Sequence, residues 1–90
     1  MITTVWRGAS DFMNVTILNY GENELVIDAV YINGTQVSAP AYTDGRGVTV
    51  PKGNLISVKF TSPVSIVSGQ SYEIVVVGER GSRDVVYWEA

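Results

Sequence analysis

The chain contains no cysteine and no histidine. Without cysteine a domain this small has no disulfide to brace it and must rely on its core. Their joint absence rules out ordinary zinc sites and removes the commonest general base and pH switch. Leucine is scarce too, with three residues against fifteen valines and seven isoleucines. β-Branched side chains lose rotamer freedom in helices and fit pleated sheets, so this balance points to strands. The six basic residues are scattered singly in a chain of net charge −3. No cluster of the kind that neutralises nucleic-acid phosphates is present. No apolar run approaches the roughly 18 residues of a membrane-spanning helix, and no signal peptide is recognisable.

What is present suits a single all-β domain. Ninety residues with 46% apolar content are enough for one core and leave little room for a second. Residues 2–7, "ITTVWR", read as a strand, followed by a "GASD" turn. In "FMNVTILNY", Met13, Val15 and Ile17 alternate with Asn14 and Thr16, the period of a half-buried strand. "GEN" turns the chain. "ELVIDAVYI" then places Leu25, Ile27, Ala29 and Tyr31 on one face and Val26, Asp28, Val30 and Ile32 on the other. Both faces are largely apolar, as expected of a central or covered strand.

Asn33-Gly34 is a hairpin signal and leads into a short strand, "TQVS". "APAYTDGRG" reads as a loop, because Pro40 and Asp44-Gly45 break regular structure. A short strand ends at Pro51. "LISVKFT" alternates Ile56, Val58 and Phe60 against Ser57, Lys59 and Thr61, and "SYEIVVVGE" aligns Tyr72, Ile74 and Val76. "DVVYWE" closes the chain. Short strands at this regular spacing predict an immunoglobulin-like β-sandwich of about seven to eight antiparallel strands, with a small closed barrel as the alternative. Tyr72 opens a late strand after "GQS" and is either a plain core tyrosine or the corner tyrosine of such sandwiches, whose hydroxyl bonds back to the backbone.

The pattern does not support catalysis. Nine carboxylates remain as candidate bases, and a pair of them could cut a glycosidic bond. Most, however, stand beside turn glycines or on outward strand positions, where solvated charge is the plain reading. No set of nucleophile, base and orienting group emerges. "TDGRG" lacks the spaced ligands of a calcium loop. "DGRG" and "GERG" lack the glycine spacing and the lysine of a phosphate loop and read as hairpin turns. No cofactor and no small-molecule substrate are expected.

Interaction is the better expectation. Val26, Val30 and Ile32, with Val75 and Val77 on the late strand, count as outward apolar residues in this phase and form a candidate interface. Asp28 interrupts the most apolar strand, either as an outward carboxylate paired across strands or as a register-setting interface residue. Trp6 and Trp88 are either packing residues or surface anchors. Asn14-Val15-Thr16 and Asn33-Gly34-Thr35 are glycosylation acceptor triplets. Asn14 falls on the outward phase of its strand and Asn33 at a hairpin tip, so both should be reachable.

The segments "VTILNYGENELVIDAVYINGTQV", "VPKGNLISVKF" and "SGQSYEIVVVGERG", spanning residues 15 to 81, carry a resemblance. Their "NYG" turn, "IDAVYINGT" strand and hairpin, "PKG" turn and "SGxxY" strand entry resemble the soluble β-domain of archaeal type IV pilin-like proteins, including archaellum accessory (stator) proteins. The resemblance implies an extracellular, non-catalytic domain of a surface filament. It would bind a protein partner, in a homodimer or with another filament or envelope subunit. It would reach the membrane only through a segment outside residues 1–90. The alternative is an accessory module of a larger secreted protein, with carbohydrate binding as one role. A small enzyme is the third reading.

Overall fold

The computed structural model describes residues 1–8 and 11–90. Residues 9 and 10 of the expected "GASD" turn lie outside these. The strands are β1 (Ile2–Arg7), β2 (Phe12–Leu18), β3 (Leu25–Ile32), β4 (Thr35–Gln36), β5 (Tyr42–Asp44), β6 (Thr49–Val50), β7 (Leu55–Thr61), β8 (Ser71–Gly78) and β9 (Arg83–Glu89). A three-residue 3-10 turn, Ala39–Ala41, precedes β5. Four strands form one sheet in the order β1-β2-β7-β5. The other five form a second, in the order β4-β3-β8-β9 with β6 also on β3. All pairings are antiparallel. The fold is an immunoglobulin-like sandwich. The nine strands among the described residues include β5, in the segment expected to be loop.

Alternation builds the core as the strand periods predict. Met13, Val15 and Ile17 from β2, Val58 and Phe60 from β7, and Tyr72, Ile74 and Val76 from β8 all point between the sheets. Each fully buried aliphatic or aromatic side chain contributes about 1.5–3 kcal/mol of transfer free energy. Val37 and Ile66 close the core from the connections.

β3 departs from the expected phase. Its pairing with β8 shifts between Ile27 and Ala29, so Asp28 is an extra, bulged residue. The bulge resets the alternation. Ile27 is inward before it, and Val30 and Ile32 are inward after it, both fully buried. These two were expected to face outward; they are core residues. A period-of-two reading cannot register a bulge, because one inserted residue exchanges the faces of everything beyond it.

The turns are held by side chains. Asn33 (φ 50°) and Gly34 (φ 81°) both adopt the left-handed conformation that a tight primed hairpin requires. The Asn33 N–H donates to the Glu73 carbonyl, and its Oδ1 accepts from the Glu73 N–H at 2.8 Å. Asn33 thus extends the β3–β8 ladder by one rung. Buried Asn19 organises the "NYG" turn. Its Nδ2 donates to the Asn23 and Val50 carbonyls and its Oδ1 accepts from the Gly21 N–H. "GERG" is a hairpin turn between β8 and β9, but "DGRG" is not a hairpin. It carries the chain from β5 in one sheet to β6 in the other. Gly45 in that crossover has φ 91°, and a Cβ there would stand 2.6 Å from the Ser57 carbonyl oxygen.

Candidate interaction surface

The outer face of the five-stranded sheet is assembled by register. Tyr31, Val75 and Val85 lie side by side across β3, β8 and β9. Ala29, Val77 and Arg83 form the next row. Glu73 and Tyr87 form the row on the other side, tied by a 3.2 Å hydrogen bond from the Tyr87 hydroxyl to Glu73 Oε2. Tyr31 and Val77 are partly buried, Val85 is 38% exposed and Tyr87 is 74% exposed. The result is an apolar strip widening toward β9.

The predicted interface residues divide. Val77 lies on this outer face and keeps part of its surface. Val75 also points outward but is covered by its neighbours and only 5% exposed. Val26 is partly buried near β6. Asp28 is exposed on the bulge, where its carbonyl, rather than its carboxylate, accepts from Arg46 Nε at 2.9 Å. Val30 and Ile32 belong to the core, and Trp88 points inward against the Tyr72 ring with centroids 6.1 Å apart. Tyr87 and Val85 were not singled out from sequence. The alternation in "VVYWE" was visible, but its phase is set by the pairing of Trp88 with Tyr72.

The Tyr72 hydroxyl accepts from the Val67 N–H at 2.8 Å and donates to the Ser65 carbonyl at 3.1 Å. That is the geometry of a tyrosine corner, which pins the β7–β8 connection under the sandwich.

The two sides of β3 are treated unequally. β8 covers one side. The other is patched piecewise by β4 at Tyr31 and Ile32 and by β6 at Leu25 and Val26. Between them Gly47 N–H and Arg46 Nε donate to the Ile27 and Asp28 carbonyls, and the Val30 N–H donates to the Tyr42 hydroxyl at 2.8 Å. The Arg46 guanidinium also stands over the Tyr42 ring, 5.6 Å from its centroid. Burial holds the Tyr42 phenol above its ordinary pKa, against the opposing pull of the Val30 N–H and the Arg46 charge.

The outer face of the four-stranded sheet has a different character. Trp6, Asn14, Lys59 and Asp44 form one continuous row across β1, β2, β7 and β5. Trp6 is 49% exposed. Asn14 faces outward as expected but is only 5% exposed, so it is not the reachable glycan acceptor that its phase suggested. Flanking strands bury an outward side chain in the middle of a sheet even when nothing lies above it. Its Oδ1 has no hydrogen-bond partner among the described residues. Asn33 remains exposed at its turn.

A cleft of about 240 Å³ opens at one end of the sandwich, floored by Ile17, Leu25, Ile27 and Val76 with Arg83 and Asp84 beside it. Among the described residues no three acidic side chains gather where they could hold a metal ion. Among the described residues no helix is long and apolar enough to cross a membrane. No family model and no curated protein matches this chain.

Proposed function

We propose that this domain is a non-catalytic interaction module of an extracellular assembly, of the archaeal surface-filament kind that its sequence resembles. It binds a protein partner through the outer face of the five-stranded sheet. The observation that carries this reading is the strip of Tyr31, Val77, Val85 and Tyr87, which ends in an aromatic ring three-quarters exposed. An exposed tyrosine beside aliphatic surface is the composition of an interface anchor. Filament membership itself rests on the sequence resemblance. The test is Tyr87→Lys introduced into the native gene. The expected result is a folded domain at the cell surface with loss of filament assembly or anchoring. Normal filaments, or a domain retained in the cytoplasm of wild-type cells, would overturn the reading.

A second reading, a carbohydrate-binding module, is favoured by the outer row that ends in an exposed Trp6 indole and carries Lys59 and Asp44 across buried Asn14, two charged groups able to bond hydroxyls. Calorimetric titration with soluble oligosaccharides, with Trp6→Ala as control, decides it. Heat that persists unchanged in the variant excludes this row.

A further inference from the structure

Three of the four sheet edges are blunted. β1 carries a bulge between Ile2 and Thr4. β5 is three residues long and also bulged. The far side of β3 is patched by two strands of two residues each, with Tyr42 and Arg46 between them. Such devices keep an edge from recruiting another chain. β9 has no bulge, no truncation and no patch, and its one inward-facing charge, Asp84, is bound to the Ile2 N–H and the N-terminal ammonium. It is seven residues long, contains no proline or lysine, and pairs with β8 without interruption from Arg83 to Glu89. Among the described residues β8 is its only strand partner.

The free side of β9 can be identified. Just beyond its two ends, the Ala90 N–H donates to the Gln70 carbonyl and the Ser82 carbonyl accepts from the Gly78 N–H. Even-numbered residues therefore turn their backbone groups toward β8. Strict alternation leaves the N–H and C=O groups of Arg83, Val85, Tyr87 and Glu89 pointing away from the sheet. The same four residues are the exposed ones.

We propose that β9 pairs antiparallel with β9 of a second copy, about a two-fold axis through Val86. In that register Arg83 faces Glu89 and Val85 faces Tyr87, each pair occurring twice. All four positions are those with free backbone groups, so the ladder closes with matched donors and acceptors. Val86 meets its own copy at the axis. Registers centred on Val85 or Tyr87 also match the backbone groups, but they shorten the ladder and lose both Arg–Glu pairs. The charge order along β9 is thus self-complementary in one register, as an isologous contact requires. The pairing joins the two five-stranded sheets into one and doubles the apolar strip.

The test is sedimentation of the domain from micromolar to near-millimolar concentration, with Arg83→Glu and Glu89→Arg variants. The wild type is expected to show a monomer–dimer equilibrium. Each single reversal sets like charges opposite each other twice and should weaken dimerisation by at least about ten-fold. An equimolar mixture of the two variants should recover dimers, because every pair is again opposite in sign. Val85→Pro deletes an N–H that only the pairing uses; it should leave circular dichroism unchanged and abolish the dimer. A wild type that stays monomeric, a dimer that survives both reversals, or a mixture that fails to recover would each overturn the proposal. The inference rests on the reading of the domain as an assembly module. Arg83→Glu leaves Tyr31, Val77 and Tyr87 in place. A monomeric protein that still supports filaments would therefore sink the pairing and spare that reading.

Discussion

The two long sides of the five-stranded sheet face the same physical problem and are built in opposite ways. On the β3 side backbone groups along Leu25–Ile32 meet partners from several fragments: β4, β6, a tyrosine hydroxyl and an arginine. On the β9 side a seven-residue strand ends the sheet with no further strand paired to it among the described residues, and only its Asp84 carboxylate reaches across, to the Ile2 N–H of β1. The patched side costs the chain a crossover between sheets, a glycine with no room for a Cβ and a bulge. An edge closed at that expense is a structural boundary. An edge left open, with alternating exposed charge and aromatic surface, is where association is cheapest.

The largest expected contrast comes from placing a carboxylate on each side. Val30→Asp buries an unpaired charge in the core, and the domain should show no cooperative thermal transition. Its counterpart on the β9 edge, Val85→Asp, leaves the charge in solvent. The crossover comes next. Gly45→Ala adds a Cβ 2.6 Å from a backbone oxygen at φ 91° and should cost about 3 kcal/mol in urea titration. A variant as stable as wild type would show that the crossover relaxes freely and that the patch is loose.

Tyr42→Phe removes the acceptor of the Val30 N–H and should cost about 1–2 kcal/mol by the same measurement. The pH dependence of this tyrosine follows from its raised pKa. Below about pH 10 the phenol is neutral in both the folded and the unfolded chain. Above it, the unfolded phenol ionises while the folded one resists, so the stabilisation is lost as pH rises through the folded pKa. Tyr42→Phe should flatten part of the alkaline fall in stability; an unchanged slope would mean that Tyr42 does not carry it. The smallest effect belongs to Val85→Asp, within about 0.5 kcal/mol at concentrations too low for association. A larger loss would show that the β9 edge is covered after all.

Most of the fold is legible in the sequence. The shortage of leucine, the excess of valine and isoleucine and the regular turn signals predict a sandwich, and the alternation in β2, β7 and β8 predicts its core faces residue by residue. Asn33-Gly34 and Tyr72 stand where their backbone chemistry places them. The departures have separate physical causes. β5 was hidden because a three-residue strand beside Pro40 and Asp44-Gly45 leaves no periodic pattern. Val30 and Ile32 were assigned to the wrong face because Asp28 bulges. Asn14 was given the correct direction and the wrong accessibility, because burial in mid-sheet depends on which strands flank it.

The sequence by itself therefore determined the class of fold, the Asn33-Gly34 and "GERG" turns and the inward phase of β2, β7 and β8, since these follow from local rotamer preference, positive-φ tolerance and a period of two. Only the tertiary structure decided which apolar residues remain outside and which edge stays open. Both depend on one-residue shifts in register and on partners up to 82 positions apart, such as the Asp84 carboxylate that accepts from the Ile2 N–H, and no local pattern encodes them.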